Sequence, residues 1–234
     1  CEVAFGGGEP FVFPGIGELL ARLHDETPLA VSATTNGLRL TPALLRSLRG
    51  KLGQLRLSLY EDNDWRERVR LLVGEGVRCG VNWLVTPARL PALEQTVLEL
   101  CALGCRDVLL LSYNGRDAAL HLDGQQTAEL EQRVGVLARA LGSRCALKLD
   151  VCWGERLEAV PRLFGGQRGD DCGAGAEFVA LTSDKRWKPC SFHRVGVPIA
   201  GAEDVLRLWR ERRHLRVPAE DPGCARLPGH GLSW

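Results

Sequence analysis

Apolar, strand-like segments begin near Glu2, Leu29, Gln54, Cys79, Asp107 and Ala146, and helical patterns lie between them. A strand and a helix alternating at a spacing of roughly 25 residues leave few topologies open, because parallel neighbours need a crossover and that crossover is right-handed. Leu130, Val134, Leu137 and Leu141 fall on one helix face, as do Leu93, Val97 and Leu100, and Trp65, Val69 and Leu72. Asp64 stands where the last of these helices needs an N-cap. The run Val108 to Leu111 is continuously apolar, which predicts a parallel strand buried on both faces. The predicted fold is therefore α/β, with a parallel sheet that is either open or closed into a barrel.

The pattern changes near Val151. Gly165, Gly166, Gly169, Gly173, Gly175 and Pro189 interrupt any long helix, and only Ala202 to His214 reads as helical again. Residues 1–150 and 151–234 are thus expected to be two domains, the second small and rich in loops. In the helix from Ala202, Val205, Leu206 and Trp209 are the expected docking residues, and the basic run from Arg207 to Arg216 is a solvated face.

With 45% hydrophobic and 25% charged residues in 234, the chain can build one sizeable core and an appendage. A net charge of +1 argues against nucleic acid or a membrane surface as a partner. No apolar run approaches the ~20 residues that span a bilayer, and nothing resembles a signal peptide, so the expected compartment is the cytoplasm. There is no Met, and the chain opens inside a strand pattern, so it reads as a fragment.

In such sheets ligands bind beyond the carboxyl ends of the strands. Small polar residues recur there: Gly6 to Pro10 after the first strand, Thr34 to Gly37 after the second, Ser58 after the third and Asn82 in the fourth. Gly7 and Gly8 allow close backbone approach, Glu9 can accept from an ammonium group, and Pro10 stiffens the exit. Asn36 and Gly37 equally suit a tight turn, and Tyr113 to Gly115 is either a ligand-lining segment or a plain loop. Of nine cysteines, Cys79, Cys101, Cys105 and Cys145 sit in apolar patterns as inert core thiols. Cys152, Cys172, Cys190 and Cys224 fall in the last third, where thiols are metal ligands more readily than disulfides. A hairpin through Phe178 to Lys185 would bring Cys172 and Cys190 together. Zinc and an iron–sulfur cluster are both compatible with four thiolates.

Gly7-Gly8-Glu9-Pro10, with Thr35-Asn36-Gly37, Ser58 and Asn82 at their spacings, resembles the radical S-adenosylmethionine (SAM) enzymes. The resemblance implies a partial (β/α)6 barrel lacking its first βα unit, with Gly7, Gly8, Glu9 and Pro10 at the SAM amino group. Thr35 and Asn36 would also bind SAM, and Ser58 and Asn82 would lie near its ribose and carboxylate. Cys172-Gly173-Ala174-Gly175 and Pro189-Cys190 resemble the SPASM or twitch appendage, which implies one auxiliary [4Fe-4S] cluster on Cys152, Cys172, Cys190 and Cys224. Lys185 stands where that pattern has Gly, a departure that a one-residue shift of the turn would absorb. Val151-Cys152-Trp153 reads equally as an ordinary strand end.

The family generates a 5′-deoxyadenosyl radical by reductive cleavage of SAM, and members with this appendage modify peptides or proteins with electrons from a flavodoxin or ferredoxin. The Cys-x3-Cys-x2-Cys loop that holds the SAM-cleaving cluster is absent here; Cys101 and Cys105 lack the third thiol. As written, the chain is expected not to cleave SAM, and the loop is expected upstream. The alternatives are an oxidoreductase acting on a small molecule, or a non-catalytic barrel that binds a peptide or a metal cluster.

Overall fold

The computed structural model describes residues 1–153, 174–175, 177–193 and 196–211. These fall into two compact units, one of residues 1–112 with 122–153, the other of residues 113–121 with those from 174 to 211.

The first unit is a six-stranded parallel sheet in the order β1 (Glu2–Phe5), β2 (Ala30–Thr35), β3 (Gln54–Ser58), β4 (Cys79–Leu84), β5 (Asp107–Leu111) and β6 (Ala146–Leu149). Between successive strands run α1 (Ile16–Glu26), α2 (Pro42–Leu48), α3 (Trp65–Gly74), α4 (Leu93–Ala102) and α5 (Gly124–Leu141). A sheet that grows one strand at a time through right-handed crossovers receives all its helices on one face. The core follows: Leu20, Leu45, Leu72, Leu93, Leu100 and Leu130 of the helices join Val31, Leu55, Leu57, Val81, Val108 and Leu110 of the strands in one buried cluster.

The opposite face is only half-buried. In β5, Val108 and Leu110 are buried while Asp107, Leu109 and Leu111 are not, and β3 and β4 alternate in the same sense at Leu55/Arg56/Leu57 and Val81/Asn82/Trp83. The continuous apolar run therefore does not mark burial on both faces. The sheet presents there a surface of intermediate exposure, and Leu109 and Leu111 tolerate it because single apolar residues at a surface are ordinary.

Helix starts also differ from expectation. Asp64 occupies the N-cap of α3 at φ 50°, but its side chain makes no capping bond. Its neighbour Asn63 is buried instead, donating to the carbonyls of Asn36 at 2.9 Å and Ser58 at 2.8 Å. Asp123 and Gln126 form a full capping box on α5.

In the second unit β7 (Ala180–Leu181), β8 (Arg186–Lys188) and β9 (Val197–Pro198) form an antiparallel sheet in that order. The predicted hairpin is its β7–β8 pair, with Ala180 opposite Lys188 and Leu181 opposite Trp187. The turn does not shift to accommodate Lys185; that residue takes φ 58° itself, where glycine would be unstrained. On α6 (Ala202–Glu211), Leu208 is buried and Val205 and Trp209 are half-buried, whereas Leu206 is exposed. The docking stripe is thus Val205, Leu208 and Trp209, the i, i+3, i+4 set of one helix face.

Candidate functional site

β1 runs into Gly6-Gly7-Gly8, where Gly7 has φ 98°, and a Cβ on any of the three would meet no atom within 4 Å. Only Gly7 needs glycine for its backbone; Gly6 and Gly8 leave open room beside the turn. Glu9 then begins a single 3-10 turn, Pro10–Val12, and its Oε1 accepts from the Phe11 N–H at 3.0 Å.

Two residues at the end of β2 complete the grip on this carboxylate. Thr35 Oγ1 donates to Glu9 Oε1 at 2.8 Å, and the Asn36 N–H donates to Oε2 at 2.6 Å. Thr35 is buried, and its hydroxyl also accepts from the Gly37 N–H at 3.0 Å. Asn36 Oδ1 accepts from the Leu38 N–H at 2.9 Å, closing a local turn. Gly37 completes that turn at φ 81°, and a Cβ there would come 2.8 Å from Leu57 Cδ1. Thr35 and Asn36 therefore hold Glu9 in place and spend their own groups in doing so. A carboxylate offers about four acceptor positions; with three taken by protein donors, one remains for an incoming cation.

Beside Glu9 lies a cavity of about 320 Å³ lined by Phe5, Gly6, Gly8, Pro10, Phe13 and Ile16 as well as Glu9 itself. Its lining is predominantly apolar, with Glu9 its one ionisable residue, so an ammonium on an apolar body is the ligand chemistry it matches. Ser58 ends β3 and is the Cα partner of Asn82 in β4; both lie on the half-exposed face of the sheet. Neither lines the cavity at Glu9. At a strand spacing of about 4.8 Å, the step from β1 to β4 is roughly 15 Å, the reach of one extended ligand.

Searches with the chain against protein-family models match none, and no curated protein matches it. Solved structures do. It is similar to Streptococcus suis SuiB bound to S-adenosylmethionine, with a TM-score of 0.70, 16% identity, and coverage of 89% of this chain and 54% of that one. The same protein bound to its precursor peptide SuiA aligns with a TM-score of 0.67 at 15% identity, over 89% and 53% of the two chains. Histidine-tagged anSMEcpe with bound AdoMet gives a TM-score of 0.63 and 16% identity, over 83% and 58%.

The fold is a partial radical SAM barrel. The chain spans about half the length of the solved structures it matches. In this barrel Gly7, Gly8, Glu9, Pro10, Thr35, Asn36 and Ser58 all gather at the carboxyl edge of the sheet, with Asn82 inside β4 on its half-exposed face. Cys101 and Cys105 stand at the opposite edge, at the end of α4 and just before β5. Burial pushes the Cys105 thiol up to about 12, so it is a neutral core residue.

Of the four cysteines expected to bind metal, Cys172 and Cys224 lie outside the described residues. Cys152 follows β6 in the first unit, beside Trp153, whose indole N–H donates to the Leu110 carbonyl at 2.9 Å. Cys190 is half-buried after β8 in the second. Among the described residues no group of three or more His, Cys, Asp or Glu is arranged to hold a metal ion. Gly175, three residues after Cys172, donates to the Pro189 carbonyl at 3.2 Å, so the strand-like bridge at Ala174 lies against the segment that leads to Cys190. The Tyr113 to His121 loop is held by its own contacts: His121 Nε2 donates to the Gly115 carbonyl at 2.9 Å, and the rings of Tyr113 and His121 meet edge to face at 5.0 Å. Among the described residues no helix is long and apolar enough to cross a membrane.

Sequence reasoning passed over Asn63 and Arg56, which organise the carboxyl edge from beneath. The sequence signal for Asn63 is slight: an Asn in the acidic turn Glu61-Asp62-Asn63-Asp64 has two donors to spend.

Proposed function

We propose that this chain belongs to a radical SAM enzyme that modifies a peptide, with residues 1–150 as the SAM-binding barrel and 151–234 as a SPASM/twitch-like domain. The observation that carries this reading is Glu9, fixed by Thr35 and Asn36 beside an apolar cavity on a fold shared with SAM-bound structures. Glu9 would take the amino group of SAM with its remaining acceptor position, while the open glycine turn admits the methionyl chain. Ser58 and Asn82 would meet the ribose and carboxylate. When bound with its cluster and a flavodoxin or ferredoxin as reductant, SAM would supply a 5′-deoxyadenosyl radical for hydrogen abstraction.

A peptide is the proposed substrate class because several of the similar structures have one bound, among them SuiB with SuiA and anSMEcpe with Cp18Cys. In the second unit the hairpin and the Gly175–Pro189 bond support Cys172 and Cys190 as neighbouring thiolates of a single [4Fe-4S] cluster, with Cys152 and Cys224 completing it.

Calorimetry of SAM binding to the full chain tests the site. Glu9→Gln keeps the side-chain shape but loses the charge, and affinity should fall by about 2 kcal/mol, the worth of a charge-assisted hydrogen bond. Unchanged affinity in a variant with wild-type melting temperature overturns the assignment.

A further inference from the structure

Arg56 reaches across the half-exposed face of the sheet over two neighbouring strands. Its Cα partner on β4 is Gly80. A Cβ built there would come 3.2 Å from Arg56 Nη1, 3.2 Å from the Asp107 carbonyl oxygen and 2.7 Å from Gln54 Nε2. Glycine at this position therefore leaves the guanidinium room to lie flat over β4. Nη2 donates to Asp107 Oδ1 on β5 at 2.6 Å, and Nη1 donates to the Val81 carbonyl at 3.3 Å and to Asn82 Oδ1 at 3.1 Å. Lys148 of β6 donates to the other oxygen of Asp107. The Arg56 and Asp107 side chains are 15% and 16% exposed, so the pair is only weakly screened by salt.

The orientation of an Asn amide is usually ambiguous, but here chemistry decides it. A guanidinium only donates, so the Asn82 atom that faces it is the oxygen. The amide nitrogen points the other way. No described residue accepts a hydrogen bond from it, and it lies on the half-exposed face next to Ser58.

We propose that Arg56, braced by Asp107 and Lys148 over the Gly80 notch, is a positioning residue that locks Asn82 with its NH2 group presented as donor to an oxygen of bound SAM. This rests on the SAM reading above. The acceptor is a ribose hydroxyl or the methionyl carboxylate, and the site discriminates against a donor or a cation in that place. An acceptor on the protein side would reverse the match.

The test compares SAM with methylthioadenosine, which keeps the ribose and lacks the methionyl carboxylate, by calorimetry on the full chain. Asn82→Asp preserves and strengthens the contact with Arg56, so folding is not at risk, yet it exchanges the donor for an oxygen. SAM affinity should fall about tenfold, and about threefold in Arg56→Met, whose Asn82 amide is released to turn. If Asn82→Asp also weakens methylthioadenosine, the acceptor is the ribose; if only SAM is affected, it is the carboxylate. In the wild type the Asn82 side-chain NH2 resonances should shift when SAM is added, which a purely structural role would not produce. If Glu9→Gln weakens SAM while Asn82→Asp and Arg56→Met bind it like wild type, the positioning role is overturned and the SAM site stands. If the wild type binds no SAM, the site reading fails and this inference with it.

Discussion

The two faces of the parallel sheet obey different rules. Against the helices every strand contributes apolar side chains, among them Val31, Leu55, Leu57, Val81, Val108 and Leu110, and volume is what matters there. The other face carries Gln54 and, joined by hydrogen bonds that cross from strand to strand, Glu2 with Ser32 and Arg56 with Asn82, Asp107 and Lys148. On the first face a residue is chosen for how it packs. On the second it is chosen for what it donates or accepts, and this is the face that leads to the proposed ligand groups.

Adjacent leucines in β5 give the sharpest contrast. Leu110 is fully buried against the helices, so Leu110→Ala should cost about 3 kcal/mol, while Leu109→Ala on the half-exposed face should cost roughly 1 kcal/mol. Urea denaturation measures both, and equal losses would mean that the second face is as tightly packed as the first.

Next in size is the ion pair on the half-exposed face. Burial works to raise the Asp107 carboxyl, but Lys148 and Arg56 together outweigh it and hold the group below its ordinary value. Because the folded value is depressed, the stabilisation is present above the unfolded carboxyl range near pH 4 and is lost as pH falls through the folded value. Asp107→Asn should cost about 2 kcal/mol at pH 7, less than a fully buried pair. The gap to wild type should narrow as the pH is lowered toward 3. A gap independent of pH would mean that shape rather than charge matters at this position.

The smallest effect belongs to Ser32, which donates to Glu2 with both side chains accessible to water. Ser32→Ala should change stability by less than about 0.5 kcal/mol. A larger loss would show that the polar face is one cooperative network reaching as far as β1.

The fold was legible in the sequence to the extent that its signals are local. Five of six strands start at the expected residue and β2 starts one later, at Ala30, because apolar periodicity and turn residues act over a few positions. Glu9 was legible as an acceptor at a strand end. Its grip by Thr35 and Asn36 was not, since those contacts span 26 and 27 residues. Arg56 is further from view: its partner Asp107 is 51 residues away, and the Gly80 between them acquires a meaning only once the register is known. In β5 the sequence Asp107-Val108-Leu109-Leu110-Leu111 hides its alternation, because leucine stands on both faces.

Asn63 spends both its donors and one of its two acceptor positions on three backbone groups: it donates to the carbonyls of Asn36 and Ser58 and accepts from the Tyr60 N–H. The loops that follow β2 and β3 are therefore sewn into one rigid body by a single side chain. The freedom that two independent loops would surrender on meeting a ligand is already gone at folding, so association there costs less entropy. Anything that loosens this stitch would set both loops adrift together, and would be felt at Glu9 through Asn36 and at Asn82 through Ser58 alike.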